Sequence, residues 1–304
     1  LAGKPIQDYI PTSKDVPILP SLTEAIEKGA EVLILGIAPS GGKIPDSWNQ
    51  VIEEALKAGL SIVNGLHDLL SNKWGHYIEN HKDQWIWDVR IPRFTPSIAT
   101  GKAASLKNKR ILFVGTDMAV GKMTAGLELY SHYLQKKENI GFVATGQIGI
   151  TVTGNGIPLD AFKVDHACGA VEQVVLDQKD KDVVIIEGQG SLLHPGSTAT
   201  LPLMRGSCPT HLILCLRAEK QTLRSPENIK IPDLKEFINL NESLCSVFGT
   251  YPQSKVIGIA ANTSTFSMLE SEQYIAVLEE RLQLPVTDPI RFGMDKLAKA
   301  VEVS

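Results

Sequence analysis

The sequence predicts an α/β protein in which parallel β-sheets are flanked by helices. Strand-like runs alternate with helix-like runs along almost the whole chain, as in proteins whose helices cover the faces of a parallel sheet. A second observation is a segment without periodicity, residues 97–108, in which Pro, Gly, Ser and Lys are mixed. The 304 residues can bury two cores, so we predict a smaller first domain, 1–104, and a second domain, 105–304.

The first domain is predicted to be a small Rossmann-like α/β unit. Apolar runs at 31–37 and 60–66 indicate two buried strands, and residues 84–90 indicate a third. Between the first two, residues 47–58 carry apolar side chains at helical spacing, and Gly59 ends that helix.

The second domain repeats the alternation on a larger scale. Its predicted strands are 110–115, 140–145, 182–187, 211–217, 255–261 and 285–290, and its predicted helices are 122–136, 160–178, 233–247, 270–282 and 294–302. A polar loop, 218–232, has a length that is common in functional loops. Because open parallel sheets bind ligands at the carboxyl ends of their strands, the residues just after these strands are the candidate site.

Composition argues against several classes of function. The formal charge of −4 and the absence of a basic run argue against a nucleic-acid partner. No apolar run approaches the roughly 18 residues of a membrane helix. The four cysteines are scattered, which argues against zinc and fits a reducing compartment. We therefore expect a cytoplasmic protein that acts on a small molecule.

The segment GTDMAVGK, residues 115–122, has the pattern of a phosphate-binding loop between a strand and a helix. In such loops the glycines turn backbone N–H groups toward phosphate oxygens, and the lysine adds a positive charge. The strict pattern has four residues between the glycines, and this loop has five. The alternative is a glycine-rich turn with an incidental lysine. The predicted cofactor contacts are Gly115, Thr116, Asp117, Val120, Gly121, Lys122, Met123 and Thr124.

This five-residue version resembles the loop of dethiobiotin synthetase and its P-loop NTPase-like relatives. The segment DVVIIEGQGS, from residue 182, looks like their strand followed by a magnesium-binding glutamate. The segment KVIGIAANT, 255–263, looks like their strand that ends in an asparagine at the nucleotide base. The resemblance implies that Asn262 contacts the base and that Glu187 binds the metal if Mg-ATP is used.

A closer resemblance covers nearly the whole chain. With GTDMAVGKMT, TGQIG, EGQGSLLHP and RGSCP behind a smaller α/β domain, the sequence is identified as a member of a two-domain P-loop family formerly of unknown function. That family includes bacterial D-glutamate N-acetyltransferases. The resemblance implies acetyl transfer from acetyl-CoA to the amine of D-glutamate or a similar acidic amino acid, with the P-loop holding the CoA phosphates. Related P-loop proteins work as dimers, so a homo-oligomer is expected.

Met123 bears on which nucleotide is bound. A hydroxyl normally follows the lysine and ligates magnesium, whereas a thioether does not suit a hard cation. Thr124 lies about 100° further round the helix and cannot simply replace that hydroxyl. Met123 therefore favours the pyrophosphate of CoA, held without a metal. The alternatives are an ATP- and magnesium-dependent ligase or kinase of dethiobiotin-synthetase type and, third, a nucleotide-switched regulator.

Three residues are candidates for catalysis. Glu187 follows a buried strand and could be the general base; the alternative is an acid that only holds the P-loop region together. His194, in the same loop, could be a base or an oxyanion donor, although loop histidines often only cap or face solvent. Asp165, near the start of the predicted helix 160–178, is a weaker candidate, because such residues often form a solvated edge.

An acidic substrate needs cationic and polar partners. Arg205 is the first candidate, because a guanidinium fork suits a carboxylate, and Arg90 and Arg93 are the second. Gln189 and Ser191 offer an amide and a hydroxyl close to Glu187. The alternative for the arginines is a surface charge, and for Gln189 and Ser191 it is an ordinary tight turn.

Overall fold

The structure confirms the α/β class, with two separate parallel sheets. It is a computed structural model that describes residues 2–8, 16–37, 39, 41–79 and 81–304. The chain divides into two compact units, Leu1–Ile91 and Pro92–Ser304.

The first unit contains a three-stranded sheet of order β1-β2-β3, in which all neighbours are parallel. Its elements are α1 (Leu22–Glu27), β1 (Val32–Leu35), α2 (Asn49–Lys57), β2 (Ser61–Asn64), α3 (Leu70–Trp74) and β3 (Ile86–Asp88). The three strands and α2 were predicted. Ile52, Ala55 and Leu56 lie on one face of α2 and are buried, as the helical spacing requires. The sequence analysis missed α1 and α3, which are too short to show a period.

The second unit contains a six-stranded parallel sheet of order β5-β6-β4-β7-β8-β9. Its strands are β4 (Lys109–Gly115), β5 (Ile140–Val143), β6 (Val183–Ile186), β7 (His211–Arg217), β8 (Lys255–Asn262) and β9 (Val286–Thr287). The strand that leads into the P-loop is therefore central, with β6 on one side and β7 on the other. The carboxyl ends of β4, β6 and β8 bring three sequence segments to one edge of this sheet.

Seven helices are described in this unit. They are α4 (Lys122–Gln135), α5 (Gln147–Thr153), α6 (Val164–Leu176), α7 (Thr200–Ser207), α8 (Leu234–Ser246), α9 (Met268–Leu282) and α10 (Asp295–Val303). The sequence analysis missed α5 and α7, whose short sequences are rich in Gly, Thr and Pro, residues with poor helix propensity. No helix in the described part of the chain combines the length and apolarity needed to cross a lipid bilayer.

Residues 92–104, assigned to the first domain by composition, pack on the second unit. The Thr100 N–H and hydroxyl donate to buried Glu172 at 2.7 and 3.1 Å. A Cβ added at Gly169 would lie 1.7 Å from the Ser97 carbonyl oxygen, so this backbone is in direct contact with α6. Ala103 is fully buried in the core of the second unit. The division into units therefore comes before this segment, although its composition resembles a linker.

Candidate active site

The P-loop is closed by two glycines that no other residue could replace without strain. A Cβ at Gly115 would lie 2.8 Å from Val120 Cγ2 and 3.0 Å from Lys122 Nζ. Gly121, which precedes α4, has a φ of 104°, in the region that favours glycine. The loop therefore folds tightly back over the start of α4, as the motif predicted.

Lys122 is buried inside this loop. Its Nζ donates to the carbonyl oxygen of Asp117 at 2.8 Å, and burial lowers its pKa. A Cβ at Gly188 would come within 2.9 Å of Lys122 Cδ, so the side chain packs against the loop after β6. An ammonium has three donors, so this geometry leaves capacity for an anion.

Asp117 and Thr116 were predicted to contact the cofactor, but both side chains point into other surroundings. The Asp117 carboxylate accepts N–H bonds from Met118 and Arg224, both at 2.7 Å, and so ties the P-loop to the loop 218–232. The Thr116 N–H donates to Cys215, and its buried hydroxyl has no described partner. Thr116 borders a different cavity, beside Leu216. Neither residue is among those that line the cavity in front of the P-loop.

A central cavity of about 450 Å³ lies in front of the P-loop. Its lining brings together residues that were predicted from three separate strand ends: Gly121, Lys122, Met123, Thr124, Glu187, Gln189 and Asn262. Parallel strands place their carboxyl ends at one edge of the sheet, which explains the convergence.

Two further cavities adjoin the central one. The β8-side cavity, of about 280 Å³, shares Thr124 and Asn262 with it and is bordered by Val120 and Ile290. The α7-side cavity, of about 540 Å³, shares Gln147 and Gln189 with the central cavity and continues to Phe162, Ser197 and Thr198. The P-loop thus opens on one side toward a smaller space and on the other toward a larger one.

Glu187 is a buried carboxylate in the wall of the central cavity. Its Oε2 accepts N–H bonds from Thr145 at 2.8 Å and Gly146 at 3.1 Å, and its Oε1 accepts one from Gln189 Nε2 at 3.2 Å. Burial raises the pKa of Glu187 to about 7, although those N–H groups and the charge of Lys122 act in the opposite direction. A carboxyl group with this pKa can gain or lose a proton near neutral pH.

The segment TGQIG, 145–149, which leads into the first turn of α5, holds this carboxylate, and the sequence analysis used it only for the family resemblance. A Cβ at Gly149 would lie 2.4 Å from Glu187 Oε2, so only glycine allows this close approach. Gln147 lines both the central and the α7-side cavities. The paired glycines of TGQIG were the signal that could have located this contact.

His194, predicted as a base or oxyanion donor, links two loops and lines none of these three cavities. Its Nδ1 accepts from the N–H of Gly196 at 3.1 Å, so Nε2 carries the proton and donates to the Ser225 carbonyl oxygen at 2.6 Å. Ser191 is also used within its own loop, where its hydroxyl accepts from Leu193 N–H at 3.2 Å. Both side chains therefore hold the loop after β6 in place.

Arg205 and Asp165 also lie away from the cavities. Because Arg205 belongs to the unpredicted helix α7, its side chain turns toward α8, where it donates to Leu244 O at 2.8 Å and stacks on Tyr251. Asp165 is exposed in the first turn of α6. Of the second-choice arginines, Arg90 donates to Gly65 O at 2.8 Å and Arg93 to Gly154 O at 3.2 Å.

Family models match both parts of the chain. The domain of unknown function DUF1611_N, described as Rossmann-like, matches residues 1–92, and the DUF1611_C P-loop domain matches residues 97–298. A solved structure of a DUF1611 family protein from Anabaena variabilis is 43% identical and superposes with a TM-score of 0.93, over 100% of this chain and 89% of that one.

Two curated relatives carry a named activity. A D-glutamate N-acetyltransferase of a Pseudoalteromonas species is 35% identical over 280 residues, which are 91% of this chain and 83% of the relative. A second protein of that name, from Tritonibacter scottomollicae, is 35% identical over 283 residues, covering 92% and 84% of the two chains.

Proposed function

The chain belongs to the DUF1611 family, whose curated relatives are N-acetyltransferases, and on that premise we propose that it acetylates the amine of D-glutamate from acetyl-CoA. We propose further that the P-loop holds the CoA phosphates. The observation that carries the proposal is Glu187, a buried carboxyl group with a pKa near 7 in the same cavity as the P-loop lysine.

The cavities support a nucleotide with a long arm. Lys122 and the loop amides suit a pyrophosphate, and Met123 supplies no hard ligand for magnesium. The β8-side cavity, with Val120, Ile290 and the amide of Asn262, suits a purine base. The arm and the acceptor would then occupy the central and α7-side cavities.

Glu187 supports the role of general base. The ammonium of an amino acid must lose a proton before its nitrogen attacks the thioester carbon. In the transfer the N–C bond forms, the C–S bond breaks, and the thiolate takes up a proton. An ionised Glu187 accepts the proton of the amine, and its N–H donors hold the carboxylate in place at the wall of the cavity.

Thiol release from acetyl-CoA by the purified protein, with D-glutamate present and magnesium chelated, tests the proposal. We expect release that requires D-glutamate and is lost in Lys122→Ala. Lys220→Ala is the matched control, because Lys220 is exposed outside the central cavity, and it should keep the wild-type rate. No release from folded wild-type protein, together with magnesium-dependent turnover of ATP, would instead support the ligase or kinase alternative.

A further inference from the structure

Among their described lining residues, the central and α7-side cavities lack a free cation for an acidic acceptor; Arg291 lines the β8-side cavity, which the proposed function assigns to the base. The α7-side cavity has no lysine or arginine among its described lining residues. The central cavity has only Lys122, which is needed for the phosphates. A substrate with two carboxylates would be poorly bound there without a positive partner, because burying an unpaired charge is costly.

Most arginines of the second unit already have partners. Arg110 and Arg205 donate to backbone carbonyls, and so do Arg93 and Arg217. Arg281 is paired with Asp233, and Arg291 donates to Ser267 and Ser271. Among the residues that the structure describes, only the guanidinium of Arg224 has no hydrogen bond or ion pair.

We propose that Arg224 binds a carboxylate of the acceptor; this inference rests on the proposed function. The N–H of Arg224 donates to the Asp117 carboxylate at 2.7 Å, and the other oxygen of that carboxylate accepts from Met118 N–H. Met118 lines both the central and the α7-side cavities. The Asp117 carboxylate therefore links the backbone of Arg224 to the backbone of Met118, which lines both cavities.

The loop that carries Arg224 is fixed on both sides of this residue. Leu223 is buried, and its N–H donates to Ile229 O at 2.9 Å within a short antiparallel pairing. The next residue, Ser225, accepts the His194 hydrogen bond. The fixed backbone holds the start of the Arg224 side chain in place, and its planar guanidinium loses less freedom per hydrogen bond than an ammonium when it binds a carboxylate.

Lys163 is another cation to compare with Arg224. It lies between Phe162 and Val164, which line the α7-side cavity, and it is exposed. It is the N-cap residue of α6, and its side chain makes no capping hydrogen bond. A lysine is a point charge without a fork, so Arg224 suits a bidentate carboxylate better.

The test measures KM for D-glutamate, D-glutamine and acetyl-CoA in the wild type, Arg224→Ala, Arg224→Lys and Lys163→Ala. In Arg224→Ala we expect the KM for D-glutamate to rise about 10- to 100-fold, with that for acetyl-CoA within about twofold. Arg224→Lys should recover part of the loss. A rise for D-glutamate alone assigns Arg224 to the side-chain carboxylate, and a rise for both acceptors assigns it to the α-carboxylate.

Each contrary result has a separate meaning. An unchanged acceptor KM in Arg224→Ala, or a rise only in Lys163→Ala or only for acetyl-CoA, overturns the inference while the wild type remains an acetyltransferase. No D-glutamate-dependent thiol release from the wild type overturns the proposed function and this inference with it. Because the native contact of residue 224 is a backbone N–H, the alanine variant keeps it, and circular dichroism should match the wild type.

Discussion

Asp88 in the first unit and Glu187 in the second are both buried carboxylates at the carboxyl end of a parallel strand, yet their surroundings differ. Asp88 accepts four hydrogen bonds, two on each oxygen, from Asn64, Leu70 and both donors of Ser71. Glu187 accepts three, and only one of them, from Gln189, reaches its second oxygen. Glu187 also borders a cavity and has a pKa raised to about 7.

The difference separates a structural carboxylate from a reactive one. Fully paired oxygens hold the turn after β2 and the start of α3 together, and they leave no position for a substrate proton. A buried carboxylate that keeps an open position and a pKa near 7 is suited to proton transfer. Burial and position after a strand are common to both, so neither feature by itself identifies an active site.

The largest expected effect is on catalysis. Glu187→Gln keeps the shape of the side chain but removes its basicity, so we expect kcat to fall by about 10²- to 10⁴-fold. Asp88→Asn makes the same chemical change in the other unit and should keep kcat per folded molecule within a few-fold. Steady-state kinetics of both variants checks this. An equal loss of kcat in the two variants would contradict the distinction between a reactive Glu187 and a structural Asp88.

The next effect is on stability. Asp88→Ala leaves the N–H groups of Leu70 and Ser71 without their acceptor and removes one of the two hydrogen bonds of the Asn64 amide, which should lower the free energy of unfolding of the first unit by about 3 kcal/mol. All four tryptophans lie in that unit, so tryptophan fluorescence during urea unfolding reports on it alone. Asp68→Ala, which removes one exposed bond to Ile44 N–H, should cost less than about 1 kcal/mol. Similar urea midpoints of unfolding for the two variants would contradict the structural role of Asp88.

The pH dependence of stability should report the raised pKa of Glu187. With a pKa near 7 when folded, against 4.5 for an ordinary glutamate, Glu187 binds more protons in the folded state between those values. The free energy of unfolding should therefore fall as pH rises from about 4.5 to 7, by at most about 3 kcal/mol from this group. Glu187→Gln should lack that part of the slope. The free energy of unfolding is measured by far-UV circular dichroism in urea at each pH. Parallel curves of this free energy against pH for the wild type and the variant would show that the Glu187 carboxyl group is not held neutral.

The smallest effect concerns Thr116, whose buried hydroxyl has no described partner. Thr116→Val exchanges that hydroxyl for a methyl group of similar shape, so we expect a thermal midpoint equal to or slightly above that of the wild type. The acetyl-CoA KM should not change, because the side chain borders a different cavity. A marked rise in that KM would show that Thr116 contacts the cofactor, as the sequence predicted.

The sequence analysis located the P-loop, Glu187 and Asn262, because each follows an apolar run that reads as a strand. Arg205 and His194, which it also predicted, do not line the three cavities. Residue type and position in the sequence favoured both, but α7 turns Arg205 toward α8. Nε2 of His194 binds the loop at Ser225, and Nδ1 accepts from Gly196 within its own loop. The sequence analysis also gave no role to Arg224, because its only distinguishing feature in the sequence is its position in a long polar loop.

The sequence by itself determined the α/β class, the strands and the phosphate loop, because hydrophobic periodicity and glycine geometry act over a few neighbouring residues. Only the tertiary structure decided which polar groups are already paired. Asp117 and Arg224 are far apart in the chain, as are Glu187 and Gly146, and each pair meets through the packing of different strand ends. Whether a buried side chain is structural or reactive depends on such partners, and the neighbouring residues in the sequence do not indicate which partners these are.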